Sequence, residues 1–195
     1  PTAQSHTDAN TRTLAPMYAV LIAAGVLFGA TIRGSGRIHT KATLLTVVVT
    51  LVGLAVTASL LCLMVGFGLG AGQVAGITAI TLLLGMISIL TGSLMVRIFG
   101  GMWGQIAALM TALAQVGIVG WAWNLAATTA IPTGWLLATS LMPLHYATSG
   151  LVAFGNSGGS VSHIGISLGV MIALCVSGLT GLKLLQPTVG RRKAS

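Results

Sequence analysis

Acidic residues are almost absent from this chain: of 195 residues, Asp8 is the single carboxylate, and glutamate does not occur. Paired-carboxylate catalysis is therefore excluded, and a Ser-His-Asp triad would have to recruit Asp8 from the far terminus. Charge of either sign is scarce, at 5% of the residues, where soluble domains carry roughly 25%. Cysteine is limited to Cys62 and Cys175, both within apolar segments and without His or carboxylate neighbours. They read as small packing residues, not as a disulfide or a metal site. No Walker A sequence occurs, so no P-loop nucleotide site is expected. Gly70-Ala-Gly-Gln-Val-Ala75 spells the dinucleotide fingerprint but lacks the acidic residue that should follow about 20 positions on, and it is read as a loop. The expectation is a non-enzyme without a cofactor.

What the chain has is apolar length. Hydrophobic residues make up 55%, mean hydropathy is +0.99, and no charge interrupts Ala42 to Val96. One helical span needs only about 20 such residues. The expected fold is an all-α integral membrane protein, a five-span helical bundle with a re-entrant or interfacial helical segment before the last span. Its first partner is the lipid bilayer. The net charge of +8 sits at the ends of apolar segments without a basic stripe of interleaved aromatics, which argues against nucleic acid.

In chain order, residues 1–13 read as a polar tether from an upstream region. Spans are expected at about 14–32, 42–65, 74–96, 105–123 and 163–182, with a re-entrant segment at about 132–156 and a basic tail at 186–195. Pro16 suits a first helical turn, and Gly25 with Gly29 forms a GxxxG pair for close helix approach. The turns are expected at Arg33–Lys41, Gly66–Gly72 and Arg97–Gly104. Placing the N-terminus outside puts Arg33, Arg37, Lys41, Arg97, Lys183, Arg191, Arg192 and Lys193 inside and leaves only Arg12 outside. The positive-inside rule therefore favours five spans, N-out and C-in. Such a start implies an upstream span or signal.

Three groups of residues stand out. Arg33, Arg37 and Lys41 form a compact basic loop. Pro143, His145, Tyr146 and Gly150 mark the uncharged segment before the last span, and His145 and His163 are expected near the outer face. His145 there is either a hydrogen-bonded interfacial residue or part of a pathway. Gly165, Gly169, Ala173, Ser177 and Gly181 recur every four residues and form a small-residue ridge, which serves packing within the bundle or homodimerisation. No acidic group lies inside a span, so an autonomous ion-coupled pump is disfavoured and any transport should draw energy from a partner.

Two stretches carry a resemblance. Leu14-Ala-Pro-Met-Tyr18 resembles the entry to the first span after the extracellular region in the phage infection protein (YhgE/Pip) family of ABC-2 type permeases. Leu141-Met-Pro-Leu-His-Tyr-Ala-Thr-Ser-Gly150-Leu151 is similar to the Pro-x-x-Tyr-x-x-x-Gly-Leu segment that these permeases place between their last two spans. Val152 stands where many relatives have Arg. The resemblance extends in topology over nearly the whole chain and implies a bacterial plasma-membrane location. It also implies a cytoplasmic ATP-binding-cassette subunit docking on Arg33 to Ala42, and an outer-leaflet re-entrant element from Pro143 to Gly155 that gates release. The function so implied is the permease component of an exporter for a hydrophobic or amphipathic substrate. The alternative, also present in that family, is a non-transporting scaffold or receptor for phage entry or secretion.

Overall fold

The computed structural model describes residues 15–34, 40–64, 69–126, 133–155 and 161–185. The expected tether at 1–13, Arg37 and the tail at 186–195 lie outside the described residues, as do the side chains of Arg33 and Lys41. The described residues form seven helices: α1 Ala15–Gly34, α2 Thr40–Met64, α3 Ala71–Phe99, α4 Gly101–Ala126, α5 Thr133–Ser140, α6 Pro143–Gly155 and α7 Val161–Leu184. Three stretches are long and apolar enough to cross a membrane: Ala71–Phe99, Gly101–Val119 and Ile164–Leu184. Shorter apolar helix runs over Met17–Ile32 and Leu45–Thr57. The regular structure of the described residues is all helical, with three candidate membrane spans.

The bundle is built around α3, which touches α1, α2, α4, α6 and α7. Sparse polarity lets α3 sit there. Thr78, Thr81, Ser88 and Thr91 each donate to the carbonyl four residues earlier, at 2.8, 2.8, 2.6 and 2.8 Å. Their hydroxyls are thus satisfied within the helix itself. Its glycines then admit neighbours where a side chain would keep them off.

The partner pairs give the direction of each helix. Helix α1 runs parallel to α3: Tyr18 bonds Thr81 at 3.0 Å, Gly25 lies on Ser88, and Ser93 donates to the Gly29 carbonyl at 3.2 Å. A Cβ on Gly29 would run into the Ile89 carbonyl, and one on Gly92 into the Val26 carbonyl. The two backbones therefore meet directly, which converts the Gly25/Gly29 pattern into dispersion contact. Helix α2 runs antiparallel, with Ser59 on Thr78 at 3.0 Å and Leu51 and Leu54 over Gly85. Helix α7 is parallel again: Gly178 sits on Leu90 and Gly181 on Leu94.

The step from α3 to α4 is tighter than the expected Arg97–Gly104 turn. Helix α3 continues to Phe99 and α4 begins at Gly101, with Gly100 alone reversing the chain at φ 84°. Only glycine takes that conformation without penalty. Gly104 then packs on the Val96 backbone, so α4 runs antiparallel to α3. As a result α1, α3 and α7 end together, and that end holds by position Arg33, Arg97 and Lys183, with Lys41 in the first turn of α2.

Candidate functional site

The segment after α4 does not form one long helix. Helix α5 stops at Ser140, and Leu141 and Met142 make a turn closed by Leu141 N to Ala138 O at 3.4 Å, Met142 N to Thr139 O at 3.0 Å and His145 N to Met142 O at 3.1 Å. Pro143 opens α6, where its missing N–H costs nothing and its fixed φ suits the first turn. Tyr146 locks the turn by donating to the Ser140 carbonyl at 2.7 Å.

The register of α6 on α3 fixes the depth of each residue. Gly150 packs on Ile80 and the Phe154 ring on Gly76, so α6 runs antiparallel to α3, one residue up for each residue down. Continuing that register puts Pro143 near Ile87 and His145 near Gly85, at the middle of α3. From Gly76 to Ile87 is about 16 Å of helix rise, so α6 begins deep in the bundle and climbs back toward the Ala71 end. One face of α6, formed by Leu144, Ala147, Thr148 and Leu151, is buried. Ser167 of α7 closes on Gly150 from the other side, its Cβ 3.4 Å from where a side chain would start.

The C-terminal end of α6 is tied down by Gln73, for which the sequence alone suggests no role. Its Nε2 donates to the Phe154 carbonyl at 2.8 Å, while its Oε1 accepts from Gly70 N at 2.8 Å. One side chain thus caps the start of α3 and an open carbonyl near the end of α6.

Pro143, His145, Tyr146 and Gly150 accordingly belong to one helix with one depth gradient. His145 departs from expectation. The expected place is near the outer face; the register of α6 puts it level with the middle of α3. Its imidazole is half-buried and meets the Tyr146 ring edge-on, with centroids 5.3 Å apart. It makes no side-chain hydrogen bond to the described residues. The hydrogen bond expected of His145 is thus not made among the described residues, and the register of α6 sets the residue level with Gly85.

No protein family model, no curated protein and no solved structure matches this chain. Function must therefore be read from the geometry and the residues.

The small-residue ridge is divided by the structure. Gly181 faces Leu94, but Gly165, Gly169, Ala173 and Ser177 are exposed, and nothing lies within 4 Å of a Cβ built on Gly165 or Gly169. Packing within the bundle is thus corrected at those four positions. The buried line of α7 is instead Ser167, Met171 and Cys175, offset by two residues. Cys175 fits its expected role as a small packing residue, a free thiol buried against α3.

Two further features were not foreseen. Gln115 on α4 is buried, on the same face as Ala108, Ala112 and Val119, and its Oε1 has no hydrogen-bond partner. A glutamine flanked by apolar residues in the middle of a span, unlike Gln105 near its start, is the sequence signal that would have found it. Between α2 and α3 lies an open recess of about 620 Å³ lined by Leu69, Ala71, Val74, Leu82, Ser59 and Thr78. The two hydroxyls there bond each other, so the recess is apolar in effect. Among the described residues no three His, Cys, Asp or Glu come together as metal ligands.

Proposed function

We propose that this chain is the membrane permease component of an ABC-2-like exporter for a hydrophobic or amphipathic substrate. On this reading it is a five-span bundle with its N-terminus outside, and α5 and α6 form a re-entrant hairpin from the outer side. The observation that carries the reading is the depth of α6. At 13 residues it rises about 20 Å, too short for a hydrocarbon core of about 30 Å. Its first turn lies level with the middle of the central helix, while its last turn meets Gly76. Discontinuous helices that end at the bilayer midplane are how membrane transporters expose backbone and polar side chains to a substrate. The resemblance of Pro143 to Leu151 to the ABC-2 segment points the same way. The plasma membrane of a bacterium is the location that goes with it.

Energy would come from a cytoplasmic ATP-binding-cassette subunit docked on Arg33, Arg37 and Lys41. The test is affinity purification of the full-length protein in mild detergent with mass spectrometry. An ATPase subunit in stoichiometric amount, lost on Arg33→Glu/Arg37→Glu/Lys41→Glu, is the expected result. Co-purification of the protein with itself or with secretion components, and no ATPase, would sink the permease reading.

One observation favours the second reading, a non-transporting scaffold. The outer end of α6 is bolted to α3 by Gln73 and by the fit of Phe154 on Gly76, which suits a fixed platform more than a gate. A scaffold should tolerate Tyr146→Asp provided that insertion is normal, whereas a gate should not.

A further inference from the structure

Gln115 is 6% exposed, and its Oε1 is the one buried side-chain polar atom without a hydrogen-bond partner among the described residues. The comparison with its buried neighbours sharpens this. Thr81, Ser88 and Thr148 return their hydroxyls to their own helices, which a glutamine amide carbonyl, having no proton to give, does not do. Polar groups left open in a packed interior are uncommon and call for a physical reason.

The depth of Gln115 supplies one. Gly104 on Val96 sets the antiparallel register of α4 on α3, and continuing it places Gln115 level with Gly85. The register of α6 places His145 at that same level, and α4 and α6 are in contact. The first turn of α6 also lies here, and Leu144 offers the first backbone N–H of a helix that begins with proline. One level of the bundle thus combines an open carbonyl acceptor, an imidazole that touches the Tyr146 ring but makes no hydrogen bond to the described residues, and the positive end of a helix.

The chemistry of these groups selects a ligand class. A cation would suit Gln115 Oε1 but would face the positive helix end. An anion would suit the helix end but would face the carbonyl oxygen. A hydroxyl satisfies both, since it donates to Gln115 Oε1 while accepting from the Leu144 N–H or the imidazole N–H. We propose that Gln115, His145 and the first turn of α6 form a site for the hydroxyl group of an uncharged amphipathic molecule, with its apolar part among the helices. The assignment rests on the permease reading and names its substrate class. The recess between α2 and α3 does not compete for this role, because its hydroxyls are already paired.

The test uses the full-length protein in phosphatidylcholine nanodiscs and a diazirine-bearing dodecanol as probe, with labelled peptides mapped by mass spectrometry. Labelling should centre on residues 112–119 and 143–148, and excess dodecanol should compete where dodecane and dodecylamine do not. Gln115→Leu should lower that labelling about tenfold, the loss expected for one buried hydrogen bond, and Gln115→Asn should retain part of it. His145→Leu should lower it as well. Equal labelling in Gln115→Leu, or equal competition by dodecane, would overturn the site and leave Gln115 as a packing residue. Should Gln115→Leu fail to fold, Gln115→Asn with unchanged labelling and dodecane competition would have the same meaning. The permease reading fails separately: hydroxyl-dependent labelling without any ATPase partner would keep the site and remove the exporter.

Discussion

Helices α3 and α7 are nearly alike as sequence, both long, apolar and rich in small residues, yet the bundle uses them in opposite ways. Half of the apolar window of α3 is buried inside the protein, against 17% for α7. Apolarity says that a helix belongs in lipid, but it does not say which apolar helix faces protein, because lipid tails and leucines are equivalent surroundings. What separates the two is where the small residues meet another backbone. Gly76, Gly85 and Gly92 of α3 receive Phe154, Leu51 with Leu54, and the Val26 carbonyl. Gly165 and Gly169 of α7 receive nothing, although their four-residue spacing is the more regular pattern.

The contrast is broken most severely at Gly92. In Gly92→Val the new side chain meets backbone of α1, which has no rotamer to yield, so a loss of about 3 kcal/mol or more is expected. Reversible unfolding in mixed micelles would measure it, and near-wild-type stability would mean that α1 is not seated on α3 as described. Gln73→Leu comes next. It removes the bonds to the Phe154 carbonyl and Gly70 N, worth about 1–2 kcal/mol together. Hydrogen exchange should speed up across 143–155 and leave the α1–α3 contact unchanged; uniform exchange across the protein would contradict a local bolt. The smallest effect belongs to Gly169→Val, within about 0.5 kcal/mol for the monomer. A large loss there, together with a shift in oligomer size on gel filtration, would show that the outward ridge is covered by a second copy.

The legibility of the site follows the same division. Pro143, Tyr146 and Gly150 were readable because a proline after an apolar run, an aromatic one turn later and a glycine announce a short separate helix. The depth of that helix was not readable. An uncharged run of residues has the same composition whether it lies at the surface or packs into the bundle. Gln73 and Gln115 were missed because one or two glutamines barely lower the apolarity of a long helix. Their opposite states, one fully engaged and the other open, depend on what packs opposite each.

By itself, the sequence determined that the chain is built of long apolar segments suited to membrane-spanning helices, since only 5% of its residues are charged and no charge interrupts Ala42 to Val96. It also determined where close helix contacts were allowed, through the placement of glycine. Only the tertiary structure decided which of those glycines are used, that α3 is the axis, and how deep α6 begins. The physical reason is that in lipid the choice of neighbour is made by shape and by paired polar groups, and these exist only once two helices are side by side.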